Sequence, residues 1–140
     1  MTNFSVVENK ITSAQKYLKI LSVNFKKFSR REIEENNIIK GSVERYLYLA
    51  AQSAIDIAES FISLRNFRKP TTLREGFEIL EEEKIISVEL REKMIKMTGF
   101  RNVVAHDYEK IDYDKVYDIL QNRLGDIEEF VFEIKKALNL

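Results

Sequence analysis

Apolar residues recur at alternating steps of four and three along most of the chain, the period of helices that each bury one face. Val7, Ile11, Ala14, Leu18, Leu21, Phe25 and Phe28 trace the first stripe, which predicts a helix of about six turns ending near Phe28. Ser5 and Glu8 have the spacing of a capping box at its start, and Ser29 and Glu32 repeat that spacing. The chain is therefore predicted to break after Phe28 and restart as a short acidic helix reaching about Asn36. Val43, Leu47, Ala50, Ala54, Ile57, Phe61 and Leu64 mark a long second helix from about Ile38 to Leu64. Two long helices with matching stripes should pack antiparallel.

Arg65 to Thr71 contains the single proline, Pro70, and reads as a loop, after which Thr72 and Glu75 form the next cap. A short helix from Leu73 to about Glu82 should bury Leu73, Phe77 and Leu80. Ser87 starts a further helix with Val88, Leu90, Met94, Ile95 and Met97 on its inner face. Asp112 is a good cap for the last helix, about Tyr113 to Ala137, with Val116, Leu120, Leu124, Ile127, Val131, Ile134 and Leu138 inside. Gly125 is the weak point of that stretch. The expected fold is all-α: an up-and-down bundle of four main helices with one or two short extra helices, in a single domain over residues 1–140.

Composition narrows the chemistry more than the fold. The absence of cysteine rules out disulfides, a thiol nucleophile and a cysteine-based zinc site, and a single histidine rules out a multi-histidine metal site within one chain. No basic region followed by an apolar run opens the chain, and no stretch approaches membrane-span length, so a soluble cytoplasmic protein with no membrane association is expected. The 23 basic and 23 acidic residues cancel, which argues against indiscriminate coating of nucleic acid but leaves room for a local patch. Two basic clusters, Lys26, Lys27, Arg30 and Arg31, and Arg65, Arg68 and Lys69, are either solvated helix ends or ligand contacts. Arg45, Gln52, Asp56 and Glu59 form a polar file on the second long helix, either a wet surface or a lining for a functional cleft.

The candidate chemistry gathers in Met97 to Tyr108, MTGFRNVVAHDY. His106 titrates near neutrality and can move protons, while Arg101, five positions earlier, offers a planar fork for phosphate or carboxylate. Together they supply the proton shuttle and the anion clamp that phosphodiester cleavage needs. Val103, Val104 and Ala105 interrupt the polar residues, as expected of a helix end packed on one side. Gly99 either admits another backbone or keeps space free beside the site. Asn102 and His106 share a helical face, whereas Arg101 and His106, five apart, do not. For both to act on one ligand, the helix must end at or before His106, or a second subunit must supply the missing partner. Taken as bare residues, these positions have plainer roles: an imidazole favoured by the helix dipole, Arg101 ion-paired with Asp107 or Glu109, and Tyr108 packing its ring with a wet hydroxyl.

GFRNVVAHDY followed by Ile111-Asp112 resembles the signature of the HEPN superfamily, and more closely that of HepT-type toxins from HEPN–MNT toxin–antitoxin pairs: Arg, four residues, His, one residue, Tyr. Arg101, His106 and Tyr108 match all three positions. Glu44-Arg45-Tyr46-Leu47 with Ala54-Ile55-Asp56-Ile57-Ala58 resembles that family's second helix, and Arg74-Glu75-Gly76-Phe77 with Leu80 its following short helix. Ala105 departs mildly, where a larger aliphatic residue is common. The resemblance implies a homodimeric, metal-independent endoribonuclease with no cofactor, its cleft at the subunit interface. It also implies an MNT-type nucleotidyltransferase antitoxin that silences the toxin by binding it and by transferring AMP to Tyr108.

On that basis Arg101 and His106 are the expected catalytic residues and Asn102 and Asp107 their supports. One His106 takes the 2′ proton of the RNA and its symmetry mate serves the leaving oxygen. Two alternatives stand beside it: a non-catalytic HEPN domain that binds a nucleotide or docks a nucleotidyltransferase, and a plain helical dimerisation module. The first would be expected to lose the Arg or the His, and this chain keeps both.

Overall fold

The computed structural model describes residues 3–106 and 111–140, with His106 described by its backbone alone. Helix α1 spans Asn3–Ile20 and runs into a π turn at Leu21–Phe25; α2 spans Arg30–Glu35, α3 Asn37–Leu64, α4 Leu73–Glu82 and α5 Val88–His106. After the segment outside the described residues come α6, Tyr113–Asp118, a second π turn at Ile119–Arg123, and α7, Leu124–Ala137. The described residues contain no strand. The all-α bundle expected from the pattern is the fold.

Helix α3 is its centre. Val43, Leu47, Ala50, Ala54, Ile57 and Phe61 are buried as the stripe predicts, but so are Ala51, Ile55, Ala58 and Ile62 on an adjoining face. A surface helix needs one apolar stripe; α3 is covered by α1 on one side and by α4, α5 and α7 on others. Its packing against α1 is antiparallel. Tyr17 meets Tyr46 with ring centroids 6.3 Å apart, while Lys10, earlier on α1, reaches Asp56, later on α3. Phe77 of α4 and Phe130 of α7 close the far side edge to face, centroids 5.4 Å apart, both almost fully buried.

Local chemistry explains most boundaries. Ser29 and Glu32 form the complete capping box, with Ser29 Oγ accepting from Glu32 N at 3.1 Å and Glu32 Oε1 accepting from Ser29 N at 3.0 Å. Asn36 accepts from the amides of Ile38 and Ile39 to start α3. Thr72, Ser87 and Asp112 accept from the amides of Glu75, Leu90 and Asp114, so all three predicted start signals operate. Ser5 does not act as one, because α1 already runs from Asn3 and Ser5 lies inside its first turn. The ends of α3, α4 and α7 place Asn66, Lys84 and Asn139 at φ 55–60°. There Phe67, Ile85 and Leu140 donate back to the carbonyls of Ile62, Leu80 and Lys135. These are left-handed C-terminal caps made without glycine.

Two expectations need correction, and the basic clusters, left open above, acquire partners. The first and last stripes are not uninterrupted α-helices: each contains a π turn, and the two meet where Gln121 Nε2 donates to the Lys26 carbonyl at 2.6 Å. Wider turns keep Leu21 and Leu120 buried, so the stripe survives the change of helix type and cannot reveal it. Val88, expected inside, is 53% exposed at the first position of α5. The basic clusters are largely ties within the fold: Arg30 pairs with Asp114 and Glu34, Arg31 with Glu35, and Arg68 with Glu75 and Glu82, while Arg65 donates to the Ala137 carbonyl. No helix among the described residues is long and apolar enough to cross a membrane.

Candidate active site

Helix α5 carries the candidate residues between two different neighbours. Leu90, Met94, Met97 and Val104 anchor it in the core, and Thr98 satisfies its own hydroxyl on the Met94 carbonyl at 3.1 Å. Of the apolar trio before His106, Val104 is buried, Ala105 half-buried and Val103 exposed. That is the one-sided packing expected of an equipped helix end.

Arg101 leans on α3. Its Nε donates to Gln52 Oε1 at 2.6 Å, and its Nη1 donates to Asn102 Oδ1 at 3.0 Å. The guanidinium carbon lies 5.4 Å from the centroid of the Tyr48 ring. Gln52 Nε2 in turn donates to Asp56 Oδ1 at 2.9 Å, and Asp56 Oδ2 stands 3.8 Å from Lys10 Nζ. Arg45 sits 5.6 Å from the same Tyr48 ring. The polar file on α3 is thus no plain wet surface, since Gln52 and Asp56 join Arg101 to α1. Glu59 is its exception: it stays exposed, with a carboxyl raised above its ordinary range by partial burial and by Asp56.

Sequence reasoning singled out Gln52 but missed Tyr48. The signal was present: an aromatic three residues after Arg45 and four before Gln52, on the flank of a polar file. Asn102, expected to be a supporting residue, accepts from Arg101. Asp107 and Tyr108 lie outside the described residues, as does the expected ion pair of Arg101 with Asp107 or Glu109.

On its other flank α5 borders a cavity of about 670 Å³ walled by α6, the second π turn and α7. Met97, Phe100, Val103 and Ile119 give it an apolar floor. Gly99 lines it, and a Cβ there would meet nothing within 4 Å, so among the described residues no backbone comes close to this glycine. Lys93 reaches Asp126 and Glu129 across the cavity rim at 3.9 and 3.5 Å. Burial raises the Asp126 carboxyl above its usual range, with Lys93 opposing. Among the described residues no group of His, Cys, Asp and Glu could hold a metal ion.

Helix α5 is regular as far as His106, so its register can be read there. At about 100° per residue, positions 101 and 106 differ by about 140° around the axis. By helical register, position 106 shares its face with Gly99 and Asn102, while Arg101 is turned to α3.

Comparison with known proteins identifies the family. The chain is similar to the mRNA nuclease HepT of Shewanella oneidensis, with 27% identity over 93% of this chain and 96% of that protein. It is likewise similar to the tRNA nuclease HepT of Aphanizomenon flos-aquae, with 29% identity over 99% and 95%. Among solved structures, the tri-AMPylated Shewanella oneidensis HEPN toxin in complex with its MNT antitoxin superposes with a TM-score of 0.85, at 27% identity, covering 94% of this chain and 97% of that one. The family model described as Ribonuclease HepT-like matches residues 11–134, nearly the whole bundle, and the chain belongs to that family.

Proposed function

We propose that this protein is the toxin of a toxin–antitoxin pair, a metal-independent endoribonuclease acting as a homodimer in the cytoplasm. The observation that carries the chemistry is the state of Arg101. It is immobilised by a neutral amide, a second amide and an aromatic ring, and no carboxylate pairs with it among the described residues. Its Nη2 has no hydrogen-bond partner there. A guanidinium fixed by neutral groups among the described residues is suited to a phosphate, because its contact strengthens as charge grows on the non-bridging oxygens.

The angular offset of positions 101 and 106 supports a shared site, in which Arg101 of one subunit and His106 of its partner face one phosphodiester. One His106 removes the proton of the 2′-hydroxyl, the 2′-oxygen forms its bond to phosphorus, and the bond to the 5′-oxygen breaks. The second His106 protonates that leaving oxygen. Each proton transfer contributes about a hundred- to ten-thousandfold in rate. Asn102 supports Arg101, and Asp107 orients the imidazole.

Silencing follows from the same placement. The Shewanella toxin is found tri-AMPylated with an MNT antitoxin, and the motif tyrosine, Tyr108, is the acceptor assigned to this chain. AMP attached two residues from His106 adds bulk and negative charge where the RNA phosphate should sit. The test is cleavage of RNA by the purified protein in EDTA, with products ending in 2′,3′-cyclic phosphate. A folded His106→Ala dimer that still cleaves would defeat this assignment.

A further inference from the structure

We infer that Gln52 is a positioning residue for the reaction, holding the Arg101 guanidinium toward RNA phosphate through a neutral acceptor that leaves its charge intact. The inference rests on Arg101 being the phosphate clamp proposed above.

The hydrogen-bond chemistry leaves Gln52 one working orientation. Its amide faces a donor-only guanidinium on one side and an acceptor-only carboxylate on the other. Only with Oε1 toward Arg101 and Nε2 toward Asp56 are both contacts made, at 2.6 and 2.9 Å. Asp56 therefore sets which way the amide points. Asp56 is itself steadied by Lys10 from α1 at 3.8 Å, so α1, α3 and α5 all bear on one side chain. Tyr48 contributes the aromatic face beside the guanidinium, a contact that attracts the cation without cancelling it.

A carboxylate at position 52 would grip Arg101 more strongly. It would also neutralise it, and a neutralised guanidinium attracts phosphate less. An amide gives up strength of grip and retains the field, while Nε and one Nη1 proton are used inward and Nη2 has no partner among the described residues. The long α3–α5 contact thus does more than join two helices.

Two variants separate holding from charge. Gln52→Met keeps length and helix preference but removes the acceptor; kcat should fall about tenfold while the melting temperature and dimer remain near wild type. Gln52→Glu keeps the acceptor but pairs the charge. Its affinity for a non-cleavable 2′-O-methyl RNA should fall, and the log–log salt dependence of binding should flatten by about 0.7, the value of one lost phosphate contact on a single strand. Wild-type kcat in Gln52→Met, or an unchanged salt slope in Gln52→Glu, would overturn the role of Gln52. Arg101→Ala is run alongside. If that variant cleaves normally, the clamp assignment itself fails; if it is inactive while both Gln52 variants behave as wild type, only the positioning role fails.

Discussion

Two arginines of this protein are both well held, and they are held in opposite ways. Arg68, in the loop before α4, donates to Glu75 at 2.8 Å and to both oxygens of Glu82 at 3.1 and 2.6 Å. Its charge is more than met, and the result is a stapled loop around Pro70. Arg101 is held by Gln52, Asn102 and the Tyr48 ring, none of which carries a charge. Arg68 is surrounded by its countercharge, whereas the described partners of Arg101 are all neutral, as the proposed phosphate clamp requires.

The contrast is broken most directly by deleting each guanidinium. Arg101→Ala should lower RNA cleavage by about 10²–10³, the scale for removing one donor to developing charge, with little change in unfolding. Arg68→Ala should do the reverse, lowering the melting temperature while leaving kcat intact. Equal loss of activity in both, followed by gel-resolved cleavage and thermal denaturation, would erase the distinction.

A smaller effect concerns acid. Hydrogen bonds from Thr71 and then Arg68 hold the Glu75 carboxyl below its ordinary range, and Arg68 does the same for Glu82. Folded carboxyls with depressed pKa contribute stability that is present above the unfolded carboxylate pKa and lost as pH falls through the folded values. Urea midpoints should therefore decline through and below the usual carboxylate range. The decline should be shallower in Arg68→Ala, and no shallower in Arg101→Ala.

The cavity flank of α5 offers the finest test of which side of this helix is structural. Gly99→Ala should raise stability by about 1 kcal/mol, since the methyl group meets open space and alanine is the better helix former. The smallest change is Asp126→Asn. A carboxyl raised by burial makes the folded state bind its proton more tightly, so the wild type loses stability as pH rises through the carboxylate range. The advantage of the asparagine over the aspartate should therefore be greatest at neutral pH and shrink in acid, partly offset by the lost Lys93 contact.

Much of this was legible from the chain. Four-three spacing located the helices, and Ser29, Thr72, Ser87 and Asp112 located their starts, because periodicity and capping are local matters settled within a few residues. The Arg-His-Tyr spacing with its flanking helices marked the family for the same reason. The π turns were illegible: Leu21 and Leu120 are buried on either helix type, so the stripe looks unchanged. The C-terminal caps at Asn66, Lys84 and Asn139 carry no glycine to announce them.

What tertiary structure decided was the meaning of the polar file on α3. Nothing within α3 indicates whether Gln52 faces water or an arginine 49 positions later. That depends on where α5 crosses, which is set by core residues such as Met94, Val104 and Phe61 that carry no chemistry of their own. Local sequence chooses the helices and supplies the reactive groups; packing between distant segments determines which of those groups share a hydrogen bond, and so which charge stays available.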